Sequence, residues 1–138
     1  MDGIVYLVAP VLGWFVAQGI KFALSLHQDG VSIGDAFQSG GMPSSHSAIV
    51  MAISTVIGLN EGFTSPLFGL ALTVSFIVMY DARGVRLATG QQKEKNKKIA
   101  KKTNIKVSIV NARGHRIIEV LAGALIGIAV GLITDKIL

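Results

Sequence analysis

Residues 83–116 read RGVRLATGQQKEKNKKIAKKTNIKVSIVNARGHR, and this stretch holds 11 of the chain's 13 Lys and Arg residues with Glu94 as the only acidic residue among them. It sits beside sequence of the opposite character. Residues 3–20, 36–60 and 62–80 contain no charged residue, and residues 117–133 contain only Glu119. Uncharged runs approaching 20 residues match the ~30 Å hydrocarbon core of a bilayer. The composition agrees: 51% of the residues are hydrophobic, 15% are charged and the mean hydropathy is +0.58, whereas a soluble domain carries about a quarter charged residues. A disordered chain, a disulfide-stapled secreted module and an ordinary soluble enzyme are excluded by this balance. With no cysteine in the chain, thiol catalysis and thiolate metal sites are excluded as well.

The expected architecture is all-α: an integral membrane helical bundle, one membrane domain over residues 1–138, with about four transmembrane helices and a basic loop. The helices are predicted at about 4–25, 45–60, 64–82 and 116–134, with the loop at 83–115. The second is the shortest. Gly40, Gly41 and Pro43 form a turn before it, Ser44 or Ser45 is placed to cap it, and Glu61-Gly62 end it. The chain opens Met1-Asp2 and reaches its first Lys at Lys21, so the first apolar stretch reads as a retained helix and not a cleaved secretory signal.

Excess Lys and Arg in a short loop marks the cytoplasmic side. The basic loop is therefore expected inside, both termini outside, and the chain in a bacterial inner (plasma) membrane. A nucleic-acid surface would interleave aromatic residues with the lysines for base stacking, and none occurs from Gln91 to Lys106. Topology is the better reading of the run, and contact with anionic lipid is compatible with it.

This topology brings polar residues to one depth. Lys21 ends the first helix, Ser44, Ser45 and His46 begin the second, Asp81, Arg83 and Arg86 end the third, and Arg113, His115 and Glu119 begin the fourth. Ionisable groups at membrane depth are costly and are retained for function. Cations, two carboxylates and two histidines at one interface make up an anion site. On the fourth helix His115, Glu119, Gly123, Gly127 and Gly131 recur every four residues and share a face, and small residues at that spacing admit a close neighbour. That face is predicted to turn inward, either within one bundle or between two copies. His27 lies in a polar loop with no partner motif and reads as structural.

The run Gly40-Gly41-Met42-Pro43-Ser44-Ser45-His46-Ser47-Ala48 resembles the Pro-Ser-Gly-His motif of the type 2 phosphatidic acid phosphatase superfamily. His115-Arg116-Ile117-Ile118-Glu119-Val120 is similar to that superfamily's His-x-x-x-Asp, with Glu in place of Asp. Together with Tyr80-Asp81-Ala82-Arg83-Gly84-Val85-Arg86, these segments resemble its divergent branch, the acid phosphatase/vanadium-dependent haloperoxidase-related family, over nearly the whole chain.

The resemblance implies a metal-independent phosphatase or phosphotransferase without cofactor, acting on a lipid or isoprenoid phosphate through a phospho-histidine. His115 would attack phosphorus, Glu119 would orient it and His46 would protonate the leaving oxygen. Lys21, Ser44, Ser45, Arg83, Arg86 and Arg113 would bind phosphate, with Asp81 in support. Two departures stand out: Gln28-Asp29 occupy the place of the superfamily's Arg-Pro after Lys21, and Ile109 replaces the Arg that follows Ser108. The Asp81–Arg86 segment is expected to stand in for these arginines. The alternative is a catalytically silent membrane protein that binds or translocates an anionic lipid headgroup. A weaker reading takes His46, His115, Glu119 and Asp81 as metal ligands, against which the surrounding cations count. The expected partners are the membrane and the lipid phosphate but no nucleic acid, and with only four helices around the site a homodimer could complete it.

Overall fold

The computed structural model describes residues 3–26, 41–103 and 116–138, apart from the side chains of residues 85–90, 93 and 103. The described residues form four helices: α1 (Val5–Ser25), α2 (Ser45–Glu61), α3 (Pro66–Thr103) and α4 (Ile117–Ile137). The chain is an all-helical membrane bundle. Its helix ends follow from local chemistry. Ser44, with extended backbone (φ −72°, ψ 113°), caps α2 by accepting from the Ser47 N–H, and Gly62, at φ 91°, stops it. The Ser65 hydroxyl accepts from the Phe68 N–H at 3.2 Å, and Pro66 takes the first helical position, where its missing N–H costs nothing.

The central element is α2, and α1, α3 and α4 all pack on it. Hydrogen bonds and close approaches fix the directions. Tyr6 Oη donates to Glu61 Oε1 (2.7 Å) at one end of the α1–α2 contact, while Gly13 lies against Ala48 and Ala52 further along; the two helices are antiparallel. On α3, the Ser75 hydroxyl meets the Ser54 hydroxyl (2.9 Å), whereas Phe68 lies near Gly58, again antiparallel. Along α4, Gly123, Gly127 and Gly131 face Ser44, Ala48 and Thr55 in that order, so α4 runs parallel to α2. The inward face expected from the glycine spacing is found inside this bundle, with all three glycines buried.

The seam is closed by small side chains. A Cβ at Gly131 would lie 2.7 Å from Thr55 Cβ and 2.8 Å from the Ala52 carbonyl oxygen, and one at Gly127 would lie 2.8 Å from Met51 Cβ. Lipid tails are as apolar as leucine, so helices in a bilayer are held by such close packing and by hydrogen bonds, not by hydrophobic burial. The stripe on α1 follows the same rule: Val5, Ala9, Gly13, Ala17 and Lys21 are its buried residues, one every fourth position. Hydroxyls within the span are satisfied by the carbonyl one turn back, as in Ser54 to Val50 (2.7 Å), Thr55 to Met51 (2.7 Å) and Thr134 to Val130 (2.8 Å).

One expectation changes, at the third helix. Among the described residues, three helical segments, Val5–Ser25, Pro66–Gly84 and Ile117–Ile137, are long and apolar enough to cross a membrane, while α2 has 17 residues, about 25 Å at the α-helical rise, and packs against all three. The third helix does not give way to a loop at residue 83. It continues to Thr103, 38 residues in all. The Lys, Glu, Gln and Ala of this stretch are strong helix formers, and a basic composition sets membrane sidedness without dictating an irregular backbone. Residues 104–115 of the expected loop lie outside the described residues.

Candidate functional site

The two segments that carry the motifs meet through their backbones. The Ser44 N–H, just before α2, donates to the Glu119 carbonyl of α4 at 2.9 Å. Non-helical backbone at membrane depth must be satisfied by protein, and a carbonyl with two lone pairs can accept from Ser44 as well as within its own helix. The approach is possible because residue 123 is glycine: a Cβ there would collide with the Ser44 carbonyl oxygen and lie 3.1 Å from the Ser44 nitrogen. Ser44 is fully buried, and Pro43, joined to Met42 by a cis peptide bond, is buried beside it.

Glu119 has a second task. Its Oε2 accepts from the Arg116 backbone N–H at 2.9 Å, which caps α4 and puts negative charge at the positive end of the helix dipole. Lys21 is only 8% exposed and continues the buried stripe of α1 past Gly13, which lies against Ala48, toward the end where α2 begins. Ser45 is buried at that same end. Lys21, Ser44, Ser45 and Glu119 are therefore gathered at one rim of the bundle, three helices contributing.

Other expected residues are not drawn into that rim. His46 is exposed. At about 100° per residue it lies roughly 200° around α2 from Ser44. Helix α4 covers the side of Ser44, Met51 and Thr55, Gly13 of α1 lies against Ala48 and Ala52, and Ser75 of α3 meets Ser54; His46 belongs to the remaining face, above the half-buried Ile49 and Ile53. On α3, Ala82 is buried two turns beyond Ser75, and the flanking Asp81 and Arg83 are exposed. Arg86 falls within the helical backbone of α3. His27, Arg113 and His115 lie outside the described residues. Among the described residues no three His, Asp or Glu side chains form a group able to hold a metal ion.

Two polar groups at this end were not among the expected site residues. Gln18 Oε1 and Ser47 Oγ are buried without a hydrogen-bond partner among the described residues. Ser47 departs from the pattern of the other hydroxyls because the residue one turn back is Pro43, which precedes the helix. The signal for Gln18 was present in the sequence, as the one amide in the uncharged run 3–20.

Apolar helices around a short, hydroxyl-rich central helix, with polar side chains collected at one rim, define an integral membrane protein whose candidate site lies at the end of its bundle. Residues 4–130 match the model of the Divergent PAP2 family, and the chain belongs to that family. It is similar to the membrane protein YuiD of Bacillus subtilis (strain 168), 36% identical over 143 aligned residues that cover 92% of this chain and 89% of the relative. No solved structure matches the chain.

Proposed function

We propose that the protein is a membrane phosphatase or phosphotransferase acting on a lipid or isoprenoid phosphate from the cytoplasmic face, through a phospho-histidine. The observation that supports it best is the Ser44 N–H to Glu119 carbonyl bond, which joins the beginning of the helix bearing His46 to the beginning of the helix that follows His115. In this reading phosphate sits at that junction. The His115 ring nitrogen forms a P–N bond as the P–O bond to the lipid breaks, and His46 gives its proton to the departing oxygen. Water then attacks phosphorus, passing a proton back to His46 as the P–N bond breaks, which frees inorganic phosphate and restores both imidazoles. Lys21 and the N-terminal amides of α2 stabilise the equatorial oxygens, with Ser45, Arg83, Arg86 and Arg113 as further phosphate-binding groups and Asp81 ordering an arginine.

The test is release of inorganic phosphate by the purified protein from a panel of lipid and isoprenoid phosphates, with vanadate as inhibitor. In that assay His46→Ala is expected to slow turnover roughly a hundredfold, with the smallest loss on substrates whose leaving group needs no proton; an equal loss on all substrates would remove His46 from the acid role. Glu119 separates its two tasks by substitution. Glu119→Gln keeps an oxygen for the Arg116 N–H and loses the charge, so only the helix-dipole contribution, a few tenths of a kcal/mol, is expected to go while turnover falls. Glu119→Ala loses both, with about 1 kcal/mol of stability gone with the cap. Melting temperature and phosphate release measured side by side check this.

The second reading, a silent headgroup-binding protein, is favoured by the azimuth of His46, which leaves the acid on the side of α2 away from α4. Vanadate or lipid-phosphate binding without any release of phosphate is the result that selects it.

A further inference from the structure

The part of α3 beyond its membrane-spanning segment was expected to be a loop and is a helix. From Gly84 to Thr103 it adds 19 residues, about 28 Å at 1.5 Å per residue. Lys95, Lys97, Lys98, Lys101 and Lys102 on it are all exposed. On a helix of 3.6 residues per turn they fall within about 160° of the circumference, with Glu94 among them; the position of Lys93 widens the basic arc to about 200°, and Gln92, Asn96, Ile99 and Ala100 occupy the remainder. The charge is thus segregated onto one flank of a rod.

A rod standing straight off the membrane would waste most of that charge. The Debye length at physiological ionic strength is about 8 Å, and Lys98, Lys101 and Lys102 stand roughly 21–27 Å along the axis from Gly84. Anionic headgroups attract a basic segment only within that screening distance. Glycine is, after proline, the weakest residue of a helix interior; Gly84 ends the apolar span and Gly90 falls between it and the lysines. The opposite flank, with Ile99 as its one large apolar side chain, is too polar to bury in the acyl region, so the contact must be electrostatic and peripheral.

We infer that the lysine flank of α3 beyond Gly90 lies down on the anionic headgroups of the leaflet from which α3 emerges, the helix bending at Gly84 or Gly90 to reach them. The partner is the surface of the protein's own membrane, because the span tethers the lysines beside it at high effective concentration. This inference does not depend on the phosphatase reading.

The chain has no cysteine, so Asn96→Cys gives a single labelling site on the flank opposite the lysines. The full protein, labelled there and reconstituted in nanodiscs with energy-transfer acceptors on the lipid headgroups, reports the height of the helix. In discs containing phosphatidylglycerol the label is expected close to the surface at low salt and far from it in about 1 M salt, where the Debye length falls to about 3 Å. In pure phosphatidylcholine it is expected far from the surface at either salt concentration.

Changing Lys97, Lys98, Lys101 and Lys102 together to Gln is expected to shift the lying-to-standing ratio roughly 10²- to 10³-fold toward standing. Gly84→Ala with Gly90→Ala is expected to hold the helix upright in anionic discs. Helicity by circular dichroism checks that every variant is folded. A label that stays at one height in both lipids and at both salts overturns the inference, as does one that moves only when an added nucleic acid or acidic protein is present.

Discussion

His115→Ala is expected to lower phosphate release by at least roughly a thousandfold, leaving only the rate that positioning and electrostatic stabilisation supply without a nucleophile. The size of the effect follows from covalent catalysis. A nucleophile cannot be partly removed, and its loss returns the reaction to direct attack by water on phosphorus. The loss should fall on kcat, with vanadate affinity changed far less, because the cations and amides proposed to hold the equatorial oxygens are untouched. Substrate labelled in its phosphate should leave label on the unaltered chain, stable to base and labile to acid as a phosphoramidate is, and none on His115→Ala. Unchanged turnover in the variant would refute the assigned nucleophile. Label that persists in it would move the nucleophile to another residue.

Gly123→Ala is the structural counterpart, and its cost is set by geometry. The added methyl would collide with the Ser44 carbonyl oxygen, a backbone atom in a buried residue that cannot rotate aside. Overpacking in a well-filled interior costs about 1–3 kcal/mol, and the upper end is expected here because α4 must withdraw from α2 or Ser44 must give up its bond to the Glu119 carbonyl. Gly131→Ala should cost less, since its nearest neighbour is the Thr55 side chain at 2.7 Å, and Gly13→Ala less again, with its nearest approach at 3.0 Å. Gly19→Ala is the control. No atom lies within 4 Å of its added Cβ, and alanine's helix propensity makes the change neutral or slightly stabilising. Thermal unfolding of the four variants in one detergent tests the order, and Gly123→Ala melting with the parent would remove the seam from the account of the fold.

Both experiments address features that the sequence exposed unequally. Uncharged runs and a single basic stretch were enough for a helical membrane bundle, because hydrocarbon leaves few alternatives to helices. The fourfold spacing of Gly123, Gly127 and Gly131 likewise predicted a buried seam, since helix geometry converts spacing directly into a face. The continuation of α3 to Thr103 was hidden because lysine-rich composition speaks to membrane sidedness and to helix propensity at once. That Lys21, Ser44 and Glu119 lie at one end of the bundle followed from the order of the helices; the azimuth of each side chain did not. His46 begins α2 beside Ser44, yet it faces away from the rim that Ser44 and Glu119 form, because its direction depends on how α1, α3 and α4 distribute themselves around α2, and no local pattern encodes that. The Ser44–Glu119 bond was invisible for the same reason, being made by backbone atoms whose meeting depends on the absent Cβ of Gly123.

The brevity of α2 carries a consequence for any lipid that reaches it. A rod some 5 Å shorter than the hydrocarbon thickness, secured at its Glu61 end to Tyr6 and at Asn60 to Asp135, is too short to reach both interfaces of an undeformed bilayer. Either the bilayer pinches around the protein, a deformation costing fractions of a kcal/mol per ångström, or an arriving headgroup sinks out of the plane of its neighbours and sheds part of its water on the way down. The protein should therefore sense membrane thickness, working most readily where the bilayer is already thin.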